Sequence, residues 1–321
     1  MREYRWFDVP VNRKILVAYL VLAGLYAISA LISPSFRTFV NFKHLLLQTT
    51  PLIIVGVAQS LVMLSGGVDL SVGAIMSLAN VVAVQSWKGM GNIGFIYLFL
   101  IPLGLGALAG GINGLLIGKR NLPPIIVTLA TSSIFWGFAL LLMPTPGGSM
   151  PPSLALILAG GSLVPTIIFC SLVFLVTFFL QFTEAGRGIY VVGSGEEVAR
   201  LLGINIIRVK VYTYALAGLI TSLAGIFMAA RMFSGDPMVG QPYVLDSMAV
   251  AVIGGTSVNG GEGGVLGVIG AAFIFNLLNN ILNMLGVSTF YQFVAKGIIV
   301  IAAVAITQGS SLIKDQNKTL S

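Results

Sequence analysis

Charge is what this sequence has least of. Only 8% of its 321 residues are Asp, Glu, Lys or Arg, against about 25% in a soluble domain whose surface must face water. That shortage excludes an ordinary soluble globule, and with 57% hydrophobic residues it predicts a body immersed in lipid. Cysteine and histidine occur once each, as Cys170 and His44. A lone cysteine excludes an intrachain disulfide, and the two together exclude the usual multi-ligand zinc sites. With few carboxylates besides, no catalytic constellation can be assembled, and the chain is not expected to be an enzyme. The phosphate-cradling pattern G-x-x-x-x-G-K-[ST] is missing, as are H-E-x-x-H, G-x-S-x-G and C-x-x-C, so no cofactor is expected on this chain itself. The net charge of +7 does not point to nucleic acid, because the basic residues stand singly between apolar runs rather than in a stripe.

What is present is apolar length. Candidate spans are 15–32, 45–64, 70–87, 95–118, 125–143, 164–182, 209–232, 244–258, 265–285 and 290–308, mostly near the ~20 residues that cross a hydrocarbon core. The expected fold is all-α: a polytopic membrane bundle of about ten transmembrane helices. Two spans are candidates for broken or re-entrant helices. One, 45–64, contains Pro51 and stops at Gly66 and Gly67; the other, 244–258, is short and ends in Gly-rich sequence. Residues 1–14 are basic and aromatic with no signal-cleavage pattern after them, which suits an interfacial segment before a retained helix. The membrane-embedded body is then 15–308, with 309–321 as a tail.

Lysine and arginine fix the orientation. With the N-terminus in the cytoplasm and ten crossings, the inside holds Arg2, Arg5, Arg13, Lys14, Lys119, Arg120, Arg187, Arg200, Arg208, Lys210, Lys314 and Lys318. The outside holds Arg37, Lys43, Lys88 and Arg231. Twelve against four selects this orientation over its inverse, and both termini are expected in the cytoplasm. The longest external loop, 144–163, is then uncharged and rich in Pro, Gly and Ser, whereas the longest internal one, 183–208, is charged.

Several residues are candidates for function. Gly106, Gly110, Gly114 and Gly118 repeat every four positions, which predicts two helix backbones in close approach. Asn276, Asn279, Asn280 and Asn283 share one helical face; they serve either as interhelical glue or as the polar wall of a solute pathway. Lys296 lies within the last span, where its stem can snorkel outward or its charge can act. Asp69 and Ser71 either cap the following helix or line an internal gate. The segment Ser65-Gly66-Gly67 loosely echoes Gly254-Gly255-Thr256 at the end of a second hairpin, as in a duplicated transporter half. In the internal loop, 195–202 reads as a short amphipathic helix, acidic first and basic later. Val198, Leu201 and Leu202 give it an apolar edge and Gly203 ends it. Such a helix either docks in a partner's groove or rests on membrane lipid.

Taken together, the blocks resemble a known family. They are Leu-Ser-Gly-Gly-Val-Asp-Leu-Ser-Val-Gly at 64–73, Gly-Arg-Gly-Ile-Tyr at 186–190 and Ala-Arg-Leu-Leu-Gly-Ile-Asn at 199–205. Further on come Ala-Val-Ile-Gly-Gly-Thr-Ser at 251–257, Leu-Leu-Asn-Asn at 277–280 and Gly-Val-Ser-Thr-Phe-Tyr-Gln at 286–292. In this order and spacing, over about 41–308, the chain resembles the permease subunits of ribose-type ATP-binding-cassette (ABC) importers, a family that also serves autoinducer-2. The external loop 144–162 departs from the family's typical members. The resemblance implies a bacterial inner-membrane location, a second permease chain (the same or a sister), and a periplasmic solute-binding protein. It also implies a cytoplasmic ATPase with two fused nucleotide-binding domains, which would use the ATP and magnesium. It makes 195–203 the ATPase-coupling loop, with Glu196, Glu197, Arg200, Leu201 and Gly203 as its key residues. A secondary transporter or channel, which would work without an ATPase, and ABC permeases for nucleosides or branched-chain amino acids are the competing readings.

Overall fold

The computed structural model describes residues 13–32, 34–87 and 94–288, with 291, 294, 297 and 298 beyond them. Among the described residues the chain is helical, and its only bridge of strand type is an isolated pair, Gly147 with Gly235. The helices are α1 (Arg13–Ile32), α2 (Phe39–Leu64), α3 (Val72–Ser86), α4 (Gly94–Arg120), α5 (Pro124–Leu142), α6 (Pro152–Ala159) and α7 (Leu163–Phe182). They continue with α8 (Glu184–Ser194), α9 (Glu196–Leu201), α10 (Ile206–Met232), α11 (Tyr243–Ile253) and α12 (Leu266–Met284).

Six of these, α2, α4, α5, α7, α10 and α12, are long and apolar enough to cross a membrane. The expected spans at 70–87 and 244–258 form helices of 15 and 11 residues, which at 1.5 Å per residue fall short of a full crossing. The expected span 290–308, with Lys296, lies outside the described residues. α2 is not broken at Pro51. It runs unbroken for 26 residues, and in the turn before the proline Thr49 and Thr50 donate to the carbonyls of Leu45 and Leu46 at 2.7 and 2.8 Å. The uncharged loop 144–163, rich in Pro, Gly and Ser, holds the short helix α6. It lies over the end of α10, where the Met150 amide donates to the Phe233 carbonyl at 3.1 Å.

Two helices make the centre. The apolar window of α2 is 94% buried and that of α10 is 78%, whereas α4, α5 and α7 keep about two thirds of theirs outside. Leu108, Ile126, Leu141 and Phe174 point outward from those helices. Exposed rows of this kind are what lipid-facing surface requires, since nothing apolar has to be hidden from hydrocarbon.

The glycine stripe sets the tightest contact. A Cβ on Gly106, Gly110 or Gly114 would stand 2.5, 2.0 and 2.5 Å from the carbonyls of Gly218, Tyr214 and Lys210, and one on Gly118 would meet the Cα of Ile207 at 3.1 Å. α4 and α10 thus lie backbone on backbone along their length, running antiparallel. The expectation of close helix approach holds at all four positions.

Beyond α10 the chain turns back inside. Phe233 takes the left-handed conformation (φ 56°), and the following residues descend antiparallel to α3. Asn80 Oδ1 accepts from the Asp236 amide at 2.7 Å while its Nδ2 donates to the Gly225 carbonyl at 3.1 Å. Ser77 Oγ accepts from the Gly240 amide at 2.9 Å. α11 therefore starts within the bundle and runs on to the end where α2 finishes, so 233–253 passes from one end of the bundle to the other as an extended half followed by a helical half, the broken span of the two candidates. Irregular backbone survives at such depth only where protein satisfies it, and two polar side chains of α3 supply those partners.

The stripe predicts a contrast on one helix. Gly110→Ala should lower stability by about 1–3 kcal/mol through forced separation of the two backbones. Gly104→Ala, with nothing within 4 Å of the added carbon, should be neutral or stabilising by up to about 1 kcal/mol because alanine favours helix. Thermal unfolding of the two variants in the same detergent checks this.

Candidate functional site

At one end of the bundle, four loops that were assigned to the same side by charge converge. The end of α2 is closed by a left-handed glycine, Gly66 (φ 76°), with amides of Gly66 and Gly67 donating to the carbonyls of Met63 and Val62 at 2.9 and 3.1 Å. α11 ends in the same way at Gly255 (φ 96°), with Gly255 and Thr256 bonded to Val252 and Ala251 at 2.9 and 3.0 Å. The echo between the two segments is thus a shared closure that satisfies the last carbonyls of each helix. The two ends touch: the Gly261 amide donates to the Leu64 carbonyl at 3.0 Å. Gly193, from the end of α8, packs between them so tightly that a Cβ there would stand 1.9 Å from the Leu64 oxygen and 2.6 Å from the Gly261 nitrogen. Tyr190 on α8 donates to the Gly263 carbonyl at 3.1 Å. Burial pushes its hydroxyl up from the ordinary tyrosine range, so it stays a neutral donor.

The internal loop 183–208 is therefore two helices, not one. Thr183 caps α8 by accepting from the Gly186 amide at 3.0 Å, and Gly195 joins it to α9. α9 closes at Gly203 (φ 74°), whose amide donates to Arg200 at 3.0 Å while that of Ile204 donates to Ala199 at 2.9 Å. This is the stop read from the sequence. Ala199 is buried and anchors the helix, whereas Glu197, Arg200 and Leu201 face outward, Leu201 being 88% exposed. Val198 and Leu202 extend that apolar edge. Glu196 turns inward and faces Lys210 at 3.7 Å. Beside it a cleft of about 400 Å³ is lined by Lys119, Glu196, Arg200 and Asn205, so cations from the ends of α4 and α9 share one face.

Asp69 and Ser71 are fully buried. Asp69 Oδ1 accepts from the Ser71 amide at 2.8 Å and from its hydroxyl at 2.6 Å, and Asn113 Nδ2 donates to Ser71 Oγ at 2.8 Å. Neither caps α3 from its side chain in the usual way: Ser71 stands at the cap position without a capping bond. Asp69 instead folds its own loop, which Asn113 ties to α4. The asparagine face of α12 is mixed. Asn280 Nδ2 donates to Asn41 Oδ1 of α2 at 3.3 Å, a bond between helices, whereas Asn276 Nδ2 donates to the Ala272 carbonyl of its own helix at 3.3 Å. Asn279 is half-buried and Asn283 exposed.

Comparison with known proteins fits this geometry. Residues 41–304 match a family model described as branched-chain amino acid transport system / permease component. The chain belongs to that permease family. It is 38% identical to the ribose import permease protein of Bacillus subtilis, with 91% of this chain and 92% of that one covered. Identity is 35% to the ribose import permease protein of Haemophilus influenzae, covering 89% and 91%. The galactose/methyl galactoside import permease protein of the same organism is 31% identical over 95% and 96% of the two chains. No solved structure matches.

Two buried residues at this end of the permease were missed in the sequence, Lys210 and Asn113, and a third, Asn80, was missed further along α3. A signal existed for Lys210. It lies on the same face as Ile206, Thr213, Tyr214 and Ala217, all buried, and a lysine on a helix's core stripe cannot be a simple interfacial anchor.

Gly203 offers a clean test of the α9 closure, because nothing lies within 4 Å of an added carbon and only its dihedral resists substitution. Gly203→Val should loosen α9 at a cost of about 1–2 kcal/mol, while Gly203→Asn, which tolerates that conformation, should cost less. Hydrogen exchange at the Gly203 and Ile204 amides reads the difference.

Proposed function

We propose that this chain is the pathway-forming permease subunit of an ATP-binding-cassette importer for a monosaccharide, with α9 as the element that couples it to a cytoplasmic ATPase. The observation that carries the reading is the construction of α9. A six-residue helix is anchored by buried Ala199 and closed at Gly203, yet directs Leu201, the most exposed of its apolar side chains, away from the bundle beside Glu197 and Arg200. A helix of that length is not stable for its own sake; a small apolar edge ringed by charge suits a groove on another protein. Two of the relatives are named for ribose import and a third for galactose, which favours a sugar over the branched-chain amino acids of the family description.

The rest of the arrangement follows from that reading. The α9 end of the bundle faces the cytosol, and α1 enters from the same end, with Tyr19 donating to the Leu266 carbonyl at the start of α12. This supports a cytoplasmic N-terminus in the bacterial inner membrane. Ten crossings, counting 290–308, would return the C-terminus to the same side. The body 15–308 with its coupling loop 183–208 then works with a second permease chain, a periplasmic solute-binding protein, and an ATPase carrying two fused nucleotide-binding domains. ATP and magnesium belong to that ATPase, and no cofactor is assigned to this chain. Closure of the ATPase draws the α9 helices of two chains together, and the backbone-packed α4–α10 unit moves as a rigid body. A pathway for an uncharged sugar needs wet, neutral walls; in this reading Asn276, Asn279, Asn280 and Asn283 on α12 would supply such a wall, and the Asp69–Ser71 loop would serve as an inner gate.

Replacing Glu196, Arg200 and Leu201 together by alanine should abolish both copurification of the ATPase and ATP-driven uptake of labelled ribose or galactose in proteoliposomes. Unchanged copurification and uptake would remove α9 from the mechanism. Uptake by the chain alone under an ion gradient would replace the importer reading with a secondary transporter.

A further inference from the structure

α9 touches the outside world through Leu201, but it is tied to the bundle through a different residue. Lys210 lies one turn into α10, and its side chain is 4% exposed. Its ammonium donates to the carbonyl of Ser65 at 2.7 Å and stands 3.7 Å from Glu196 Oε1, the first residue of α9. Ser65 closes α2. One cation thus spans the start of α9 and the end of α2, whose apolar window is the most buried among the six membrane-length helices.

The placement is physically favourable at both contacts. The last carbonyls of α2 have no partners within their own helix. Those of Leu64 and Ser65 are taken by the Gly261 amide and by Lys210, and a cation there complements the negative end of the helix dipole. Glu196 sits in the first turn of α9, where an anion complements the positive end. A buried ammonium requires such partners, so losing either contact would leave the lysine poorly compensated. Packing of Gly193 against Leu64 holds α8 to the same place, but it joins glycine to backbone and carries no charge. From Ser65 the chain leads within four residues to Asp69, which through Ser71 is bonded to Asn113 of α4.

We propose that Lys210 is the positioning residue that passes movement of α9 to the end of α2 and the buried loop beyond it, and that its loss separates ATP hydrolysis from transport. The proposal rests on the permease reading above and deepens it. When α9 is drawn by its partner, Glu196 moves with it; Lys210 keeps the Ser65 carbonyl, and hence the 65–71 loop, in register with that motion.

The test uses the full complex of permease, ATPase and binding protein in proteoliposomes, with labelled ribose and galactose as probes, and measures uptake per ATP hydrolysed. Lys210→Met should retain the ATPase on copurification and hydrolyse ATP, while uptake per ATP falls about tenfold, within the range of coupling effects carried by single positions. Lys210→Gln, which can still donate to Ser65 but has no charge for Glu196, should also uncouple and serves if the methionine variant does not fold. Lys210→Arg should restore most of the ratio, as a purely volumetric role would not. Wild-type ratios in both neutral variants overturn the proposal while leaving the permease reading intact. A wild-type chain that holds no ATPase overturns both.

Discussion

Lipid offers no hydrogen bonds, so every amide and carbonyl at membrane depth must find its partner within the protein. Most of what is unusual in this structure answers that demand. α2 and α11 close on left-handed glycines that return amides to their own last carbonyls, and the Gly261 amide satisfies a further one across the interface. The descending segment after α10 exposes amides where no helix can serve them, and Asn80 and Ser77 accept from two of them. Each of these polar residues is fully buried, where an unmatched group would cost about 1–3 kcal/mol.

The same solvent removes the drive that assembles soluble cores. Hydrocarbon is as apolar as leucine, so helices gain from meeting only through close packing and polar contacts. α4 meets α10 along four glycines that bring the two backbones together, and such a seam has little freedom to slide without opening. Stiffness there implies that motion is concentrated elsewhere. The obvious place is the end where α2, α8, α9 and α11 meet through turns and glycines rather than through long helix faces, and where the buried charge of Lys210 lies.

Much of this was legible in the sequence. Scarce charge gave the membrane setting, four-residue glycine spacing gave the α4–α10 contact, and the run from Glu196 to Gly203 gave α9 with its stop. The asymmetry of lysine and arginine grouped loops that do meet in space. What could not be read was depth. A hydrophobic count registers 70–87 and 244–258 as spans because it does not see where along the bundle a helix begins; that depends on partners such as Ser77 and Asn80, distant in sequence. Proline at 51 read as a break because the count does not see the packing around it, where Pro51 and its neighbours are buried on every side. Lys210 entered only the count of inside cations, beside Arg208. Only the arrangement of α2 and α9 around it shows the ammonium turned inward.

Everything functional depends on which way this end faces. With Cys170 replaced by alanine, a single cysteine placed at Leu201 can be challenged with a membrane-impermeant maleimide in intact spheroplasts and in inside-out vesicles. A second, placed at Phe233 near the opposite end, serves as the counterpart. The account predicts that Leu201→Cys reacts only in inside-out vesicles and Phe233→Cys only in spheroplasts. Reaction of Leu201→Cys from the outer side would contradict it.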